Sequence, residues 1–398
     1  MLFEFDAVIV GGGACGLMCA VQAGFFGKKV LVLERNDKVG AKILISGGGR
    51  CNYTNIYTSE ENFVTENSHF LKSALAQWTV DDTISFFETY GIVGKEKTLG
   101  QLFPESDKAK DIVRLFETLC EELGQEIWLK ANVVSVSKQT DFFELIYERE
   151  GKVGKIKSPK VVITSGGLPV AKLGASDFAL KLAAGFGLKI EETAPALVPL
   201  TITGKLQPWF ANLSGNSIFA EVSNDQISFR ENILFTHWGL SGPAILQISS
   251  YWRKGKCIWI NLLPDFNILD LIEEERAVNG KKHLSNFLLR FYTRKFVDAL
   301  KDILPIDKNL ASLNKADYTK IYDFIHRFEV KPAGDKGYDK AEVMRGGVST
   351  NELSSKTLES KKIQGLYFGG ECVDITGWLG GYNFQWAWAS GFVMAQNI

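Results

Sequence analysis

Cysteine and histidine are scarce in this chain, and neither is clustered. The six cysteines (Cys15, Cys19, Cys51, Cys120, Cys257 and Cys372) contain no Cys-x-x-Cys pair. That excludes a zinc ribbon and argues against a disulfide scaffold, leaving reduced thiols as the default. The four histidines (His69, His237, His283 and His326) lack metal-ligand spacing, so no metal is expected. Charge of one sign is also missing: the net charge is −1, and no global field draws the chain to nucleic acid or to an anionic membrane. No nucleic-acid partner is therefore expected. Long hydrophobic runs are absent apart from the 21 charge-free residues between Asp6 and Lys28. Three consecutive glycines interrupt that stretch, and Glu4 and Asp6 rather than basic residues precede it. Neither a signal peptide nor a membrane span has that form, so no membrane contact and a cytoplasmic location are expected.

What is present is an ordinary globular composition, 45% hydrophobic and 23% charged over 398 residues, enough for two or three domains. The most informative stretch is the first. Ala7 to Val10 reads as a buried strand and breaks into Gly11-Gly12-Gly13-Ala14-Cys15-Gly16, which satisfies G-x-G-x-x-G. Leu17, Ala20, Val21 and Gly24 follow at helical spacing, Gly27 ends the helix, and Val30 to Leu33 is a second strand closed by Glu34. The glycines permit a tight turn, close approach of backbone to a pyrophosphate and close helix–strand packing. The helix N-terminus offers free N–H groups to phosphate, and Glu34 stands where a carboxylate can accept from a ribose hydroxyl. This pattern indicates a dinucleotide, with NAD and FAD both open.

Further along, Ser46-Gly47-Gly48-Gly49-Arg50-Cys51-Asn52 combines costly backbone freedom with polar side chains, a pairing that fits cofactor contact better than a linker. Phe70 to Tyr90 reads as one helix, and a second is expected to start at Leu102 with Pro104 in its first turn. Its stripe of Ala109, Ile112, Val113, Phe116, Leu119, Cys120 and Leu123 is core. Val133 to Ser137 and Phe142 to Tyr147 predict a hairpin. Lys160-Val161-Val162-Ile163-Thr164-Ser165-Gly166-Gly167 reads as a buried strand leading into a second glycine turn. Short strands dominate from about residue 193, and a lysine-rich helical pattern follows. The end of the chain returns to strand, glycine turn and helix, with Gly380-Gly381-Tyr382-Asn383 opening the last helix.

Four segments together, Gly11 to Glu34, Ser46 to Asn55, Leu234 to Pro243 and Gly365 to Ser390, closely resemble the YhiN-like bacterial flavoproteins. These are FAD-dependent oxidoreductases of the BaiN and aminoacetone-oxidase type. The likeness extends to Phe103-Pro104, Pro195 to Leu200, Gly346-Gly347-Val348 and Lys356 to Ser360. It implies an α/β fold: a Rossmann-like, glutathione-reductase-like FAD domain in two segments, 1–192 and 336–398. The insert at 193–335 would be a small β-barrel-like part (about 193–264) plus a helical part (about 265–330). It also implies FAD as the dinucleotide. Carried over by position, Gly11, Gly13 and Gly16 would face the pyrophosphate and Glu34 the adenosine ribose. Arg50, Cys51 and Asn52 would lie along the cofactor and Val134 near the adenine. Gly370, Asp374, Gly380, Gly381, Tyr382 and Asn383 would hold the ribityl chain and flavin ring. The expected cofactor set also takes in Ala14, Cys15, Arg35, Lys42, Ser46, Gly47, Gly48, Gly49, Thr164, Ser165, Gly166 and Glu371.

A flavin carries the redox step, so the expected activity is hydride transfer between flavin and a small organic substrate. No second glycine fingerprint marks a nicotinamide domain; electrons would come from the substrate or from NAD(P)H docking transiently. An oxygen-using amine or alcohol oxidase and an NAD(P)H-dependent reductase of an activated double bond both fit. The alternatives are a non-catalytic flavoprotein and a flavin-bearing RNA-modifying or RNA-binding protein, which a basic face on helices 281–331 would favour. Backbone N–H groups at Gly380 to Asn383 would favour anionic reduced flavin. His237 is the candidate proton donor or substrate clamp, with loop stabilisation as its ordinary alternative. Cys51 has no neighbouring cysteine in the sequence and is read as a packing residue.

Overall fold

A computed structural model describes residues 3–398. The chain divides into two compact units, one built by the segment up to Ala194 together with Val343–Ile398, the other by Pro195–Glu342.

The first unit is organised on a five-stranded sheet in the order Leu366–Phe368, Val161–Ile163, Ala7–Val10, Val30–Leu33, Glu126–Trp128, with every pairing parallel. Ala7–Val10 and Val30–Leu33 are buried at every residue, as apolar runs covered on both faces must be. Val8 sits between Leu31 and Val161, which fixes the central register. The chain leaves Ala7–Val10 on one side to form Val30–Leu33, while Val161–Ile163 pairs on the other. The carboxyl end of Ala7–Val10 is therefore a topological switch point, where open α/β sheets bind ligands. Helix Ala14–Phe25 packs against the last helix, Tyr382–Asn397. At Gly391 the approach is so close that a Cβ would stand 2.6 Å from the Cys15 carbonyl oxygen.

Three elements differ from the sequence reading. Phe70 to Tyr90 is two helices, His69–Gln77 and Val80–Thr89. Thr79 and Asp82 form a capping box, with Thr79 N–H donating to Asp82 at 2.8 Å, so a new helix starts inside an unbroken apolar pattern. Pro104 ends a strand, Gln101–Pro104, rather than opening a helix; the helix begins at Ala109. The hairpin gains a third strand, Lys152–Ser158, paired in full register with Phe143–Arg149.

The second unit contains a seven-stranded antiparallel sheet and the helices Ile268–Asn279, Leu284–Leu288, Arg294–Ala299 and Lys315–His326. Trp209 centres its core, stacking edge-on against Phe210, Phe235, Phe296, Phe324 and Phe328 at centroid distances of 5.3–6.0 Å. The lysine-rich helices carry their own acids: Lys282 and Arg290 pair with Glu275 at 2.9 and 3.0 Å, and Lys308 with Asp317 at 2.7 Å. An uninterrupted basic face is not what these helices present.

Candidate functional site

The glycines of the first turn divide their work. Gly11 has φ +109°, and a Cβ there would stand 2.6 Å from the Thr164 carbonyl oxygen, so it lets the turn lie against the neighbouring strand. At Gly16 a Cβ would be 2.0 Å from the Gly11 carbonyl oxygen, so Gly16 lets the helix close on the strand end. Around Gly13, by contrast, no atom beyond its immediate chain neighbours lies within 4 Å of a Cβ position. That glycine does no packing, and its conformation (φ −82°) is open to any residue. A bare backbone there leaves room for a cofactor to pass close over it. Thr164 Oγ donates inward, towards the Gly11 carbonyl at 2.9 Å, whereas the buried Ser165 hydroxyl has no hydrogen-bond partner among the described residues. Gly166 takes φ +74°.

Glu34 lies buried at the end of its strand and accepts from Gly12 N–H through one oxygen and Asn36 N–H through the other, each at 2.8 Å. Each carboxylate oxygen retains further lone-pair capacity, so ribose recognition remains compatible with this tie. Arg35 is exposed and reaches the Gly174 carbonyl at 3.3 Å. Ala131 N–H donates to the Glu34 carbonyl at 2.8 Å, bringing the strand Ala131–Lys138 alongside. Its register slips at Val134, with Val133 opposite Tyr147 and Ser135 opposite Ile146. Val134 is thus the extra residue of a bulge and is half-exposed.

Ala41–Ile45 is helical, but Ser46 is extended and Gly47, Gly48, Gly49 and Cys51 all take positive φ, between +55° and +84°. A residue with Cβ at Gly47 would meet the Phe103 ring at 2.8 Å. The Ser46 carbonyl accepts from both Arg50 and Cys51 N–H, which closes the loop. The Arg50 guanidinium lies over Phe103 with its centre 5.4 Å from the ring centroid. Asn52 is buried, and its Oδ1 has no partner among the described residues while facing Gly381. Burial pushes the Cys15 and Cys51 thiols up to about 12 each, so both are protonated at neutral pH, and neither is a thiolate nucleophile.

The far end of the chain joins these segments. Gly370 N–H donates to Ser390 Oγ at 3.0 Å, its carbonyl accepts from Trp386 Nε1 at 3.0 Å, and Ser390 Oγ also meets Cys15 Sγ at 3.3 Å. Lys42 Nζ pairs with Glu371 at 2.5 Å, and the other Glu371 oxygen accepts from Met344 N–H. Asp374 accepts from Glu66 N–H at 3.0 Å, and burial raises its carboxyl above the usual carboxylate range. Gly380 and Gly381 take φ +120° and +103°, and a Cβ at Gly381 would be 2.4 Å from the Thr54 carbonyl oxygen. Tyr382 packs edge-on against Phe63 and Trp378. Asn383 spends its side chain on the loop itself, accepting from Gly377 N–H at 2.8 Å and donating to the Gly377 carbonyl at 2.9 Å. It shapes the helix entrance.

Residues outside the expected set hold this frame together. Asn55 Nδ2 donates to the carbonyls of Gly380 and Leu99 at 2.9 and 3.0 Å. Gln385, fully buried, accepts from Thr54 and Thr83 and donates to the carbonyls of Trp78 and Thr79. Trp388 Nε1 donates to the Tyr53 carbonyl at 2.8 Å. The available sequence signal was a set of polar residues, Gln385 and Ser390, inside an otherwise apolar helix. His237 belongs to the second unit, at the turn between strands Ser228–Thr236 and Gly239–Ser241. Its exposed ring packs edge-on against Trp238 at 4.0 Å, with Lys336 Nζ 5.0 Å from the centroid of that indole.

The residues present fit FAD: a glycine with no packing role at the phosphate turn, and unpartnered buried Ser165 and Asn52 oxygens at two of the expected contact segments. A family model described as the HI0933-like protein Rossmann domain matches residues 5–397. The chain belongs to the HI0933-like family. The resemblance carried by the four sequence segments thus holds over nearly the whole chain. This HI0933-like chain is 43% identical over 397 residues to the ribosomal RNA dihydrouridine synthase of Escherichia coli strain K12, covering 99% of this chain and 98% of that one. It is 28% identical over 408 residues to the 3-dehydro-bile acid delta(4,6)-reductase of Clostridium scindens, covering 97% of each. A solved structure of 3-ketosteroid delta1-dehydrogenase from Sterolibacterium denitrificans superposes with a TM-score of 0.53 at 13% identity, over 99% of both chains. That likeness concerns the fold alone. The expectation of no nucleic-acid partner is corrected here, because a relative 43% identical bears ribosomal RNA in its name. Net charge averages the whole surface and does not report a local binding face. Among the described residues no helix is long and apolar enough to cross a membrane.

Proposed function

We propose that this HI0933-like chain binds FAD and reduces the C5–C6 double bond of a uridine in ribosomal RNA to dihydrouridine, with NAD(P)H as the electron source. The observation that carries the reading is the end-to-end likeness to the Escherichia coli synthase, 43% identity with no large region unmatched on either side. The Clostridium scindens relative supports the reaction type, since its name also describes a reductase acting at carbon–carbon double bonds.

When bound, FAD supplies two-electron hydride chemistry. The chain's own contributions are proposed as follows. Gly11, Gly13 and Gly16 hold the pyrophosphate against the N-terminus of helix Ala14–Phe25. Glu34 takes the ribose and the Val134 bulge lies at the adenine. Asn52 and the N-terminus of helix Tyr382–Asn397, which starts after the N-cap Gly381, face the flavin and favour negative charge there. Overall, NAD(P)H is oxidised and the uracil gains one hydride at C6 and one proton at C5.

The test uses the purified FAD-loaded protein, NADPH and ribosomal RNA from cells lacking the gene, mixed anaerobically. Mass spectrometry of a nuclease digest should show one uridine-containing fragment gaining two hydrogen atoms. No gain over a heat-inactivated control would overturn the reading. Turnover of a small conjugated enone without any change in RNA would instead support a small-molecule reductase, the second reading, for which the Clostridium scindens relative is the observation.

A further inference from the structure

Beside the Gly380–Gly381 loop the chain displays a flat aromatic ring with no evident structural duty. Tyr57 is 64% exposed, between Ile56 at 37% and, across the adjoining turn, Leu99 at 58%. Large apolar groups this open are individually unremarkable, but a contiguous set at the rim of a site marks a binding surface. The local backbone holds the ring in place. Asn55 Oδ1 accepts from Tyr57 N–H at 3.0 Å, while Asn55 Nδ2 donates to the Leu99 and Gly380 carbonyls. One amide thus ties the Tyr57 segment, the Leu99 turn and the flavin-side loop together. Gly100, at φ +75°, lets the ring settle against bare backbone; a Cβ there would stand 2.5 Å from Tyr57 Cδ2. Leu99 itself takes φ +55°, uncommon for a leucine, and the turn that imposes it turns its side chain outward. Of the nearby charges, Lys97 pairs with Asp107 at 2.6 Å, and Arg50 and Lys95 also act on that carboxylate. What the Tyr57 segment itself offers is a π-face.

We infer that Tyr57 is a stacking platform for an unpaired base of single-stranded RNA next to the reacting uridine, positioning the strand at the site. The inference rests on the proposed RNA substrate. Bases of single-stranded RNA stack on exposed aromatic side chains, and one such contact is worth about 1–3 kcal/mol, roughly 5- to 150-fold in affinity.

The experiment measures binding of the FAD-loaded protein to fluorescein-labelled oligouridylate and to gene-deletion ribosomal RNA, at low and moderate salt. Tyr57→Ala should weaken binding at least fivefold and raise KM for RNA with little change in kcat. Tyr57→Trp should restore both, and flavin absorbance should stay that of the wild type throughout. Because the contact is stacking, the loss should be the same at both salt concentrations, unlike removal of a phosphate contact. Wild-type affinity in Tyr57→Ala, with RNA reduced normally, would overturn the stacking role alone. A wild-type protein that neither binds nor reduces RNA would overturn this inference together with the function on which it rests. An equal loss in Tyr57→Ala and Tyr57→Trp, accompanied by lost flavin, would assign Tyr57 to the fold and overturn the platform.

Discussion

Gly13→Val should fold as the wild type does and fail to retain FAD. No atom beyond its immediate chain neighbours lies within 4 Å of the position its Cβ would take, and φ is −82°, so the apo fold has neither a steric nor a torsional objection. Gly13 is the N-cap of helix Ala14–Phe25 without a side-chain cap bond, so replacing it costs at most ~1 kcal/mol of stability. The isopropyl group would project where backbone must meet the pyrophosphate, and FAD affinity should fall on the order of a hundredfold or more, ~2.7 kcal/mol. Gly16→Ala should behave in the opposite way. A methyl group 2.0 Å from the Gly11 carbonyl oxygen forces helix and strand apart whether or not cofactor is present. Its signature is a drop in apo stability of about 1–3 kcal/mol, the cost of overpacking. Apo denaturation midpoints and FAD titration of both variants separate the roles. Tight flavin binding by Gly13→Val would remove the pyrophosphate from this turn.

Gln385→Leu should be the most destabilising single change in the flavin-side frame. The wild-type amide accepts from Thr54 and Thr83 at 2.7 and 2.9 Å and donates to the Trp78 and Thr79 carbonyls at 3.3 and 3.1 Å. Leucine preserves volume but orphans these groups in a fully buried place, at about 1–3 kcal/mol per unsatisfied group. Redirection of the hydroxyls to nearby carbonyls recovers part of that, leaving an expected loss of about 3–5 kcal/mol. Because Thr54 and the start of the last helix frame the Gly380–Gly381 loop, flavin affinity should fall along with the denaturation midpoint. A variant with wild-type stability would show that the four-way junction is not what holds these segments together.

The fold of the first strand–turn–helix–strand unit was legible because its causes are local. Strand, glycine turn, helix and terminal carboxylate lie within thirty residues, and the buried run Ala7–Val10 could not be much else. The far end of the chain was read mainly by resemblance, and its side-chain partners were not legible. Asn383 occupies the expected loop, yet its amide closes on Gly377. Gln385 and Ser390 were missed because their partners, Thr54, Thr83 and Cys15, lie some 300 residues or more away in sequence, where no periodicity reports them. The break at Thr79 was hidden by an apolar rhythm that runs through both helices; a capping box outweighed it. The nucleic-acid partner was misjudged for a different reason: a total of −1 says nothing about one rim of one site.

The most direct measurement is a single anaerobic turnover. The FAD-loaded protein, reduced by a stoichiometric amount of NADPH, is mixed with ribosomal RNA from gene-deletion cells while flavin absorbance and dihydrouridine are followed together. Flavin-dependent reduction of uridine requires the oxidised flavin spectrum to return with one dihydrouridine formed per flavin. Flavin that stays reduced in the presence of this RNA, yet reoxidises when air is admitted, would contradict it.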